Sequence, residues 1–174
     1  MSDTLAELDV AVLAGGLGTR LASVLDGAPK VLAPAVGGAP YIAFLLDWLA
    51  RSGLRRVVFC LGHRADAVEE WLAGNTRPGM TIGSVRESAP AGTAGALGYA
   101  RQSLNSDPVL VMNGDSFIDA DFAAFLADFH ASKARASVLC VRVDNAARYG
   151  SVDVNADGWI EKFSEKDPGR ARPG

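Results

Sequence analysis

Apolar residues along this chain follow two rhythms in turn. From Asp9 to Ala14 they form an unbroken run ended by glycine, the pattern of a strand buried on both faces. Pro40 then opens a segment in which Tyr41, Phe44, Leu45, Trp48 and Leu49 recur at helical spacing, and Gly53 supplies a C-terminal stop. The alternation continues with a strand over Arg56 to Leu61, a helix through Val68, Trp71 and Leu72 that ends at Gly74, and a shorter strand from Thr81 to Val85. A helix from Ala94 to Leu104, a strand from Pro108 to Met112, a helix marked by Phe122, Phe125, Leu126 and Phe129, and a strand from Ala136 to Val143 follow. The stretch SVDVNADGWIEKF reads as a hairpin turning over Asn155 to Gly158. There is no internal repeat and no low-complexity segment. Strands alternating with helices predict an α/β fold, a Rossmann-like three-layer sandwich around a mostly parallel sheet whose ligands bind at the carboxyl ends of the strands.

Composition narrows the classes that remain. With 174 residues, 49% of them hydrophobic, the chain can bury one core, so residues 1–174 are expected to form one domain. The formal net charge of -3 comes with scattered basic residues, which argues against a nucleic-acid footprint. No apolar run approaches the roughly 18 residues of a membrane span and the acidic N-terminus carries no targeting signal, so no membrane partner and a cytoplasmic protein are expected. Cys60 and Cys140 sit inside apolar strand patterns and read as reduced core residues, while His63 and His130 lack partners at zinc-ligand spacing.

The candidate chemistry begins at LAGGLGTRL, from Leu13 to Leu21, where three glycines, a threonine and an arginine follow the first strand. A backbone without side chains lets an anion lie against peptide N–H groups. The stretch fits neither a dinucleotide fingerprint, which needs a third glycine and a later acidic residue, nor a Walker loop, which needs Gly-Lys-Ser/Thr. What remains is a phosphate loop carrying its own cation, Arg20, with Lys30 of APKVLAP as a second. The sequence NGDSF, from Asn113 to Phe117, follows the PVLVM strand and so falls on the same ligand edge. Taken singly, the glycine loop and the Asn-Gly-Asp stretch read as turns, Lys30 as a solvated lysine, and Glu87 as a charged residue beside an edge strand. Trp48, Trp71 and the phenylalanine stripe read as core.

In order, LAGGLGTRL, PKVLAPAVGGAP, PAGTAGAL, NGD, RYGSV and FSEK resemble the sugar-1-phosphate nucleotidylyltransferases, with the resemblance running from about Asp9 to Lys166. GTAGAL, NGDSFID and ARYGSVDV make it closest to the D-glycero-D-manno-heptose 1-phosphate guanylyltransferase branch. The resemblance implies the nucleotide-diphospho-sugar transferase type of fold and transfer of a nucleoside monophosphate, GMP from GTP, to a heptose- or mannose-type sugar 1-phosphate for surface-glycan assembly. It assigns Leu13, Ala14, Gly15, Gly16, Gly18 and Thr19 to the nucleotide, Arg20 to its β and γ phosphates, and Lys30 to the phosphates being joined. Asp115 would hold Mg2+, Glu87, Gly92 and Thr93 would face the base, and Gly150, Glu165 and Lys166 would hold the sugar phosphate. The family continues past its Glu-Lys motif with an Asn-Gly-Gly-type strand and a second metal-binding aspartate, whereas eight residues follow Lys166 here. The expectation is therefore a domain truncated at its C-terminus, with exposed apolar surface that favours self-association. The alternative reading is a catalytically weak nucleotide- or sugar-binding regulatory module.

Overall fold

The computed structural model describes residues 4–16, 27–144 and 149–164. Four strands, β1 (Asp9–Leu13), β2 (Arg56–Leu61), β3 (Thr81–Arg86) and β4 (Val109–Asn113), form a parallel sheet in the order β3-β2-β1-β4. The connecting helices are α1 (Tyr41–Arg51), α2 (Ala65–Gly74) and α3 (Gly92–Ala100), and α4 (Phe122–Ser132) follows β4. Period-two alternation sends Val10, Val12, Val57, Phe59 and Leu61 to one sheet face, where they pack with Ile42, Leu45, Leu46, Leu49, Val68, Phe122 and Leu126. Ala11, Val58 and Cys60 face the other way, against Ala96 and Ala100 of α3. Small residues on both sides of that second contact let α3 lie close to the sheet. The result is the expected three-layer α/β sandwich with a mostly parallel sheet.

Most predicted elements occur within two residues of their expected ends. Gly53, at φ 89°, ends α1, and its N–H returns to the Ala50 carbonyl, a conformation that glycine adopts without strain. The helix expected over Ala94 to Leu104 starts at Gly92 and tightens into a 3-10 turn over Arg101–Ser103.

The strand expected from Ala136 to Val143 is not formed. A strand needs a ladder partner, and this segment has none among the described residues. Val138 and Val141 are exposed, and so is Cys140, which corrects the reading of that cysteine as a core residue. Cys60 is buried as expected.

The chain divides into two compact units, Met1–Leu126 and Ala127–Gly174. The second contains the antiparallel hairpin of β5 (Ser151–Val154) and β6 (Ile160–Ser164). Its turn is held by the Asn155 Oδ1, which accepts the N–H groups of Asp157 (3.1 Å) and Trp159 (2.9 Å). Gly150, just before β5, lies against the Phe163 ring: a Cβ there would stand 3.0 Å from Phe163 Cζ.

The amino end of the sheet is tied down by one buried carboxylate. Asp9, 2% exposed, pairs with Arg56 at 2.9 Å and accepts the backbone N–H groups of Asn105 and Ser106, the latter at 2.8 Å. The Ser106 hydroxyl in turn accepts the Asp9 N–H at 2.8 Å. This network fixes where the chain enters β4, and through the register Asp9–Val109 to Leu13–Asn113 it fixes where β4 ends. Asp9→Ala is expected to lower the free energy of unfolding by about 2–4 kcal/mol, because two backbone donors lose a charged acceptor. Urea denaturation checks this, and a change below the about 0.5 kcal/mol of an ordinary surface substitution would contradict it.

Candidate functional site

Strand order reverses between β1 and β4. The crossovers through α1 and α2 build the sheet outward from β1, and the next, through α3, returns to its other side on the opposite face. Chain segments leaving β1 and β4 therefore part in opposite directions and open a crevice at the carboxyl edge, the place where α/β sheets bind ligands. A cleft of about 570 Å³ occupies it. Leu13, Ala14, Gly15 and Gly16 line it from β1, Gly62 and His63 from β2, Glu87 from β3, Gly92 and Thr93 from the start of α3, and Asn113, Gly114 and Asp115 from β4. Lys30 and Val31 enter from the 3-10 turn that spans Lys30–Leu32.

The structure thus brings together Leu13, Ala14, Gly15, Gly16, Lys30, Glu87, Gly92, Thr93 and Asp115 of the residues singled out in the sequence. Gly18, Thr19, Arg20, Glu165 and Lys166 lie outside the described residues. Gly150 belongs to the second compact unit.

Backbone crowding shapes the cleft floor. A Cβ on Gly62 would stand 2.7 Å from the Gly15 carbonyl oxygen and 3.1 Å from the Gly15 Cα, closer than side-chain carbons approach backbone. A Cβ on Gly15 would meet the Glu87 carboxylate at 2.6 Å and the Gly62 nitrogen at 3.2 Å. The strand pairing runs on beyond the strands, since the Ala14 N–H donates to the Cys60 carbonyl at 2.9 Å and the Gly114 N–H to the Leu13 carbonyl at 2.8 Å. Gly114 is confined too: a Cβ there would lie 3.0 Å from Val31 and 3.1 Å from the Leu13 carbonyl oxygen. Three strand exits meet at glycines, so peptide groups come close together on the cleft floor, between the side chains that line it.

Charges sit at the two ends of this floor. At one end Lys30 Nζ and Asp115 Oδ2 are 3.2 Å apart, with the lysine side chain about a third exposed and the aspartate about half. So exposed a pair is weakly held and can exchange partners. At the other end the Glu87 N–H donates to the Leu61 carbonyl at 2.8 Å, and its carboxylate accepts the Ala91 N–H at 3.4 Å. Beneath Glu87, burial and then the negative charge of that carboxylate push the Cys60 thiol up to about 11, so Cys60 stays a protonated, inert thiol at neutral pH. Ser88 and Tyr99 share a hydroxyl hydrogen bond of 2.7 Å on the outer rim.

Gly62 and His63 were missed by the sequence reading. The signal was present: both directly follow the β2 strand, so the rule that placed Gly15 and Asp115 on the ligand edge places them there too.

A three-layer, doubly wound α/β fold with a glycine-walled cleft at its switch point defines the class. The nucleotidyl transferase family model matches residues 10–172, and the chain belongs to that family. The mannose-1-phosphate guanylyltransferase of Mycobacterium tuberculosis is 32% identical over 161 residues, covering 92% of this chain and 44% of that protein. The D-glycero-alpha-D-manno-heptose 1-phosphate guanylyltransferase of Campylobacter jejuni is 28% identical over 158 residues, 89% of this chain and 67% of that enzyme. HddC from Yersinia pseudotuberculosis, solved in complex with GMP-PN, superposes with a TM-score of 0.78 at 29% identity, over 96% of this chain and 72% of that one. The chain therefore spans less than half the length of the mycobacterial relative and about two thirds of the Campylobacter one. Among the described residues no helix is long and apolar enough to cross a membrane.

Gly62→Ala is expected to destabilise the fold by about 1–3 kcal/mol, since the added methyl group meets fixed backbone and cannot be relieved by a rotamer change. Equilibrium unfolding in urea measures it. A stability equal to that of the wild type would mean that the Gly15 segment yields freely, and that the cleft wall is not built by this contact.

Proposed function

We propose that this chain carries the guanylyl-transfer site of a sugar-1-phosphate guanylyltransferase, with 1–174 acting as one catalytic domain on GTP and a mannose- or heptose-type sugar 1-phosphate. The observation that carries the reading is the glycine-walled cleft, with Lys30 and Asp115 at one end and a fixed carboxylate, Glu87, at the other. Membership of the nucleotidyl transferase family, and relatives that are guanylyltransferases for mannose and heptose phosphates, support the same choice.

Chemistry follows from charge. A sugar 1-phosphate oxygen attacks the α-phosphorus of GTP, a new phosphorus–oxygen bond forms, and the bond to pyrophosphate breaks. The nucleophile is already an anion near neutral pH, because the second phosphate pKa is about 6, so no general base is required. What the site must supply is in-line placement and relief of repulsion between phosphates. In this reading Gly15, Gly16, Gly18 and Thr19 offer backbone N–H groups to the triphosphate, and Arg20 neutralises its outer phosphates. Lys30 leaves Asp115 and turns to the two phosphates being joined. Gly150, Glu165 and Lys166 receive the sugar phosphate.

Glu87 reads the base. Guanine presents N–H donors beside a carbonyl acceptor, so a carboxylate flanked by backbone N–H groups at Gly92 and Thr93 suits it. Leu13 and Ala14 pack beneath.

Asp115 fits a magnesium ion. Mg2+ usually takes one or two carboxylates and completes its shell with substrate phosphates and water. A single half-exposed carboxylate lining a cleft of about 570 Å³ is such a donor. When bound, Mg2+ neutralises triphosphate oxygens and steadies the leaving pyrophosphate.

A pyrophosphate-release assay across GTP, UTP, dTTP and ATP with mannose and heptose 1-phosphates tests the proposal. GTP-dependent release with one of these sugars is the expected result, and Lys30→Ala and Arg20→Ala should each lower it by roughly a hundredfold or more. Wild-type rates in either variant would remove that residue from the mechanism. GTP binding without release under any condition would favour the regulatory binding module instead.

A further inference from the structure

Residues 87–91 join β3 to α3, and all but the half-buried Glu87 are exposed. Glu87, Ser88, Ala89 and Pro90 line the cleft. So short and so solvated a segment has little buried contact of its own to hold its shape. Its first residue continues the strand pairing, since the Glu87 N–H donates to the Leu61 carbonyl at 2.8 Å. Beyond that point the loop is held by α3.

Positions 92, 95 and 99 fall on one face of α3, at helical spacings of three and four, beside the Ala96 and Ala100 face that meets the sheet. The loop is fastened to that face twice. At Gly95 a Cβ would collide with the Ala91 Cβ, so glycine makes the notch in which the Ala91 methyl sits. One turn further on, the Tyr99 and Ser88 hydroxyls share a hydrogen bond of 2.7 Å, the ordinary length for a good O–H···O contact. Tyr99 is 40% exposed, and packing at such a position has no need of a hydroxyl. Between the two fastenings the Ala91 N–H reaches the Glu87 carboxylate at 3.4 Å, so where Ala91 sits bears on where that carboxylate points. The N–H groups of Gly92 and Thr93, in the first turn of α3, have no acceptor within the helix and remain available to a ligand.

We propose that Tyr99 and Gly95 are positioning residues for base recognition. Tyr99 latches Ser88, Gly95 seats Ala91, and the loop between them holds the Glu87 carboxylate at a set separation from the Gly92 and Thr93 N–H groups. An acceptor and two donors held in that relation suit one arrangement of donors and acceptors on a base edge better than another. The latch thus sets which base is preferred, and neither Tyr99 nor Gly95 touches the ligand. The proposal rests on the nucleotide reading, in which Glu87 meets the base.

Calorimetric titration with GTP and with UTP, in Mg2+ and without sugar phosphate, gives the ratio of the two affinities. Tyr99→Phe, which keeps the ring and removes one hydroxyl, should cut the preference for GTP by roughly fivefold, the worth of one hydrogen bond, while leaving UTP affinity within about twofold. Ser88→Ala should do the same, the double variant no more than either alone, and Ser88→Thr, which restores a hydroxyl, should recover the wild-type ratio. In ligand-free protein, amide hydrogen exchange of the peptide spanning residues 87–93 should quicken in Tyr99→Phe. A GTP-to-UTP ratio unchanged in Tyr99→Phe, or exchange equal to that of the wild type, would overturn the proposal and leave the nucleotide reading standing. A wild type that binds both nucleotides equally would overturn it too, because no base is then being read. A wild type that binds neither removes the nucleotide reading itself, and this proposal with it.

Discussion

Everything at the ligand edge depends on how closely Gly15 and Gly62 approach. The segments leaving β1 and β2 touch backbone to backbone, at distances that leave no room for a methyl group on Gly62. Parallel strands with matched ends, Leu13 opposite Cys60 and Asn113, bring those segments to one level, and glycine then lets them stay there. The cost is an unusual density of residues with high backbone entropy in the unfolded chain. The gain is a cleft floor that presents peptide groups between the side chains of Leu13, Val31 and Glu87.

Around that floor the electrostatics divide. Lys30 and Asp115 hold each other across the mouth while staying partly solvated, so their pairing stabilises little and yields readily to a better partner. Glu87 has no cation partner among the described residues; its carboxylate lies over Gly15 and accepts the Ala91 N–H at 3.4 Å. A partly exposed charge pair at one end and a carboxylate at the other would suit the proposed ligand, whose phosphates must react and whose base must only be recognised. The buried Asp9 network at the opposite edge of the sheet has no such latitude, and it anchors the register on which the cleft depends.

How far the sequence reveals this depends on which force shapes each part. Strands β1 and β2 are legible because a parallel strand covered on both faces must be apolar throughout, and α1 because its stripe has only one core to face. The hairpin of β5 and β6 is written in Asn155 and Gly158, whose turn chemistry is local. Ala136 to Val143 carries an equally good strand pattern, yet pairing is a property of two segments, and one cannot disclose its partner. Gly62 and His63 directly follow β2 and so fall on the ligand edge by the same rule, but the backbone contact of Gly62 with Gly15, almost fifty positions away, is visible only in three dimensions. Tyr41 reads as core by periodicity, and only the structure shows that its hydroxyl is buried without a hydrogen-bond partner among the described residues.

On the proposed reading a nucleoside triphosphate lies along the cleft between Lys30 and Glu87. Amide hydrogen exchange, followed by mass spectrometry with and without Mg2+ and guanosine 5′-(β,γ-imido)triphosphate, tests this placement. The expected result is protection confined to the peptides containing Leu13 to Gly16, Gly62 and His63, Glu87 to Thr93, and Asn113 to Asp115. Saturating nucleotide that leaves those peptides unchanged, or that protects a different surface, would contradict it.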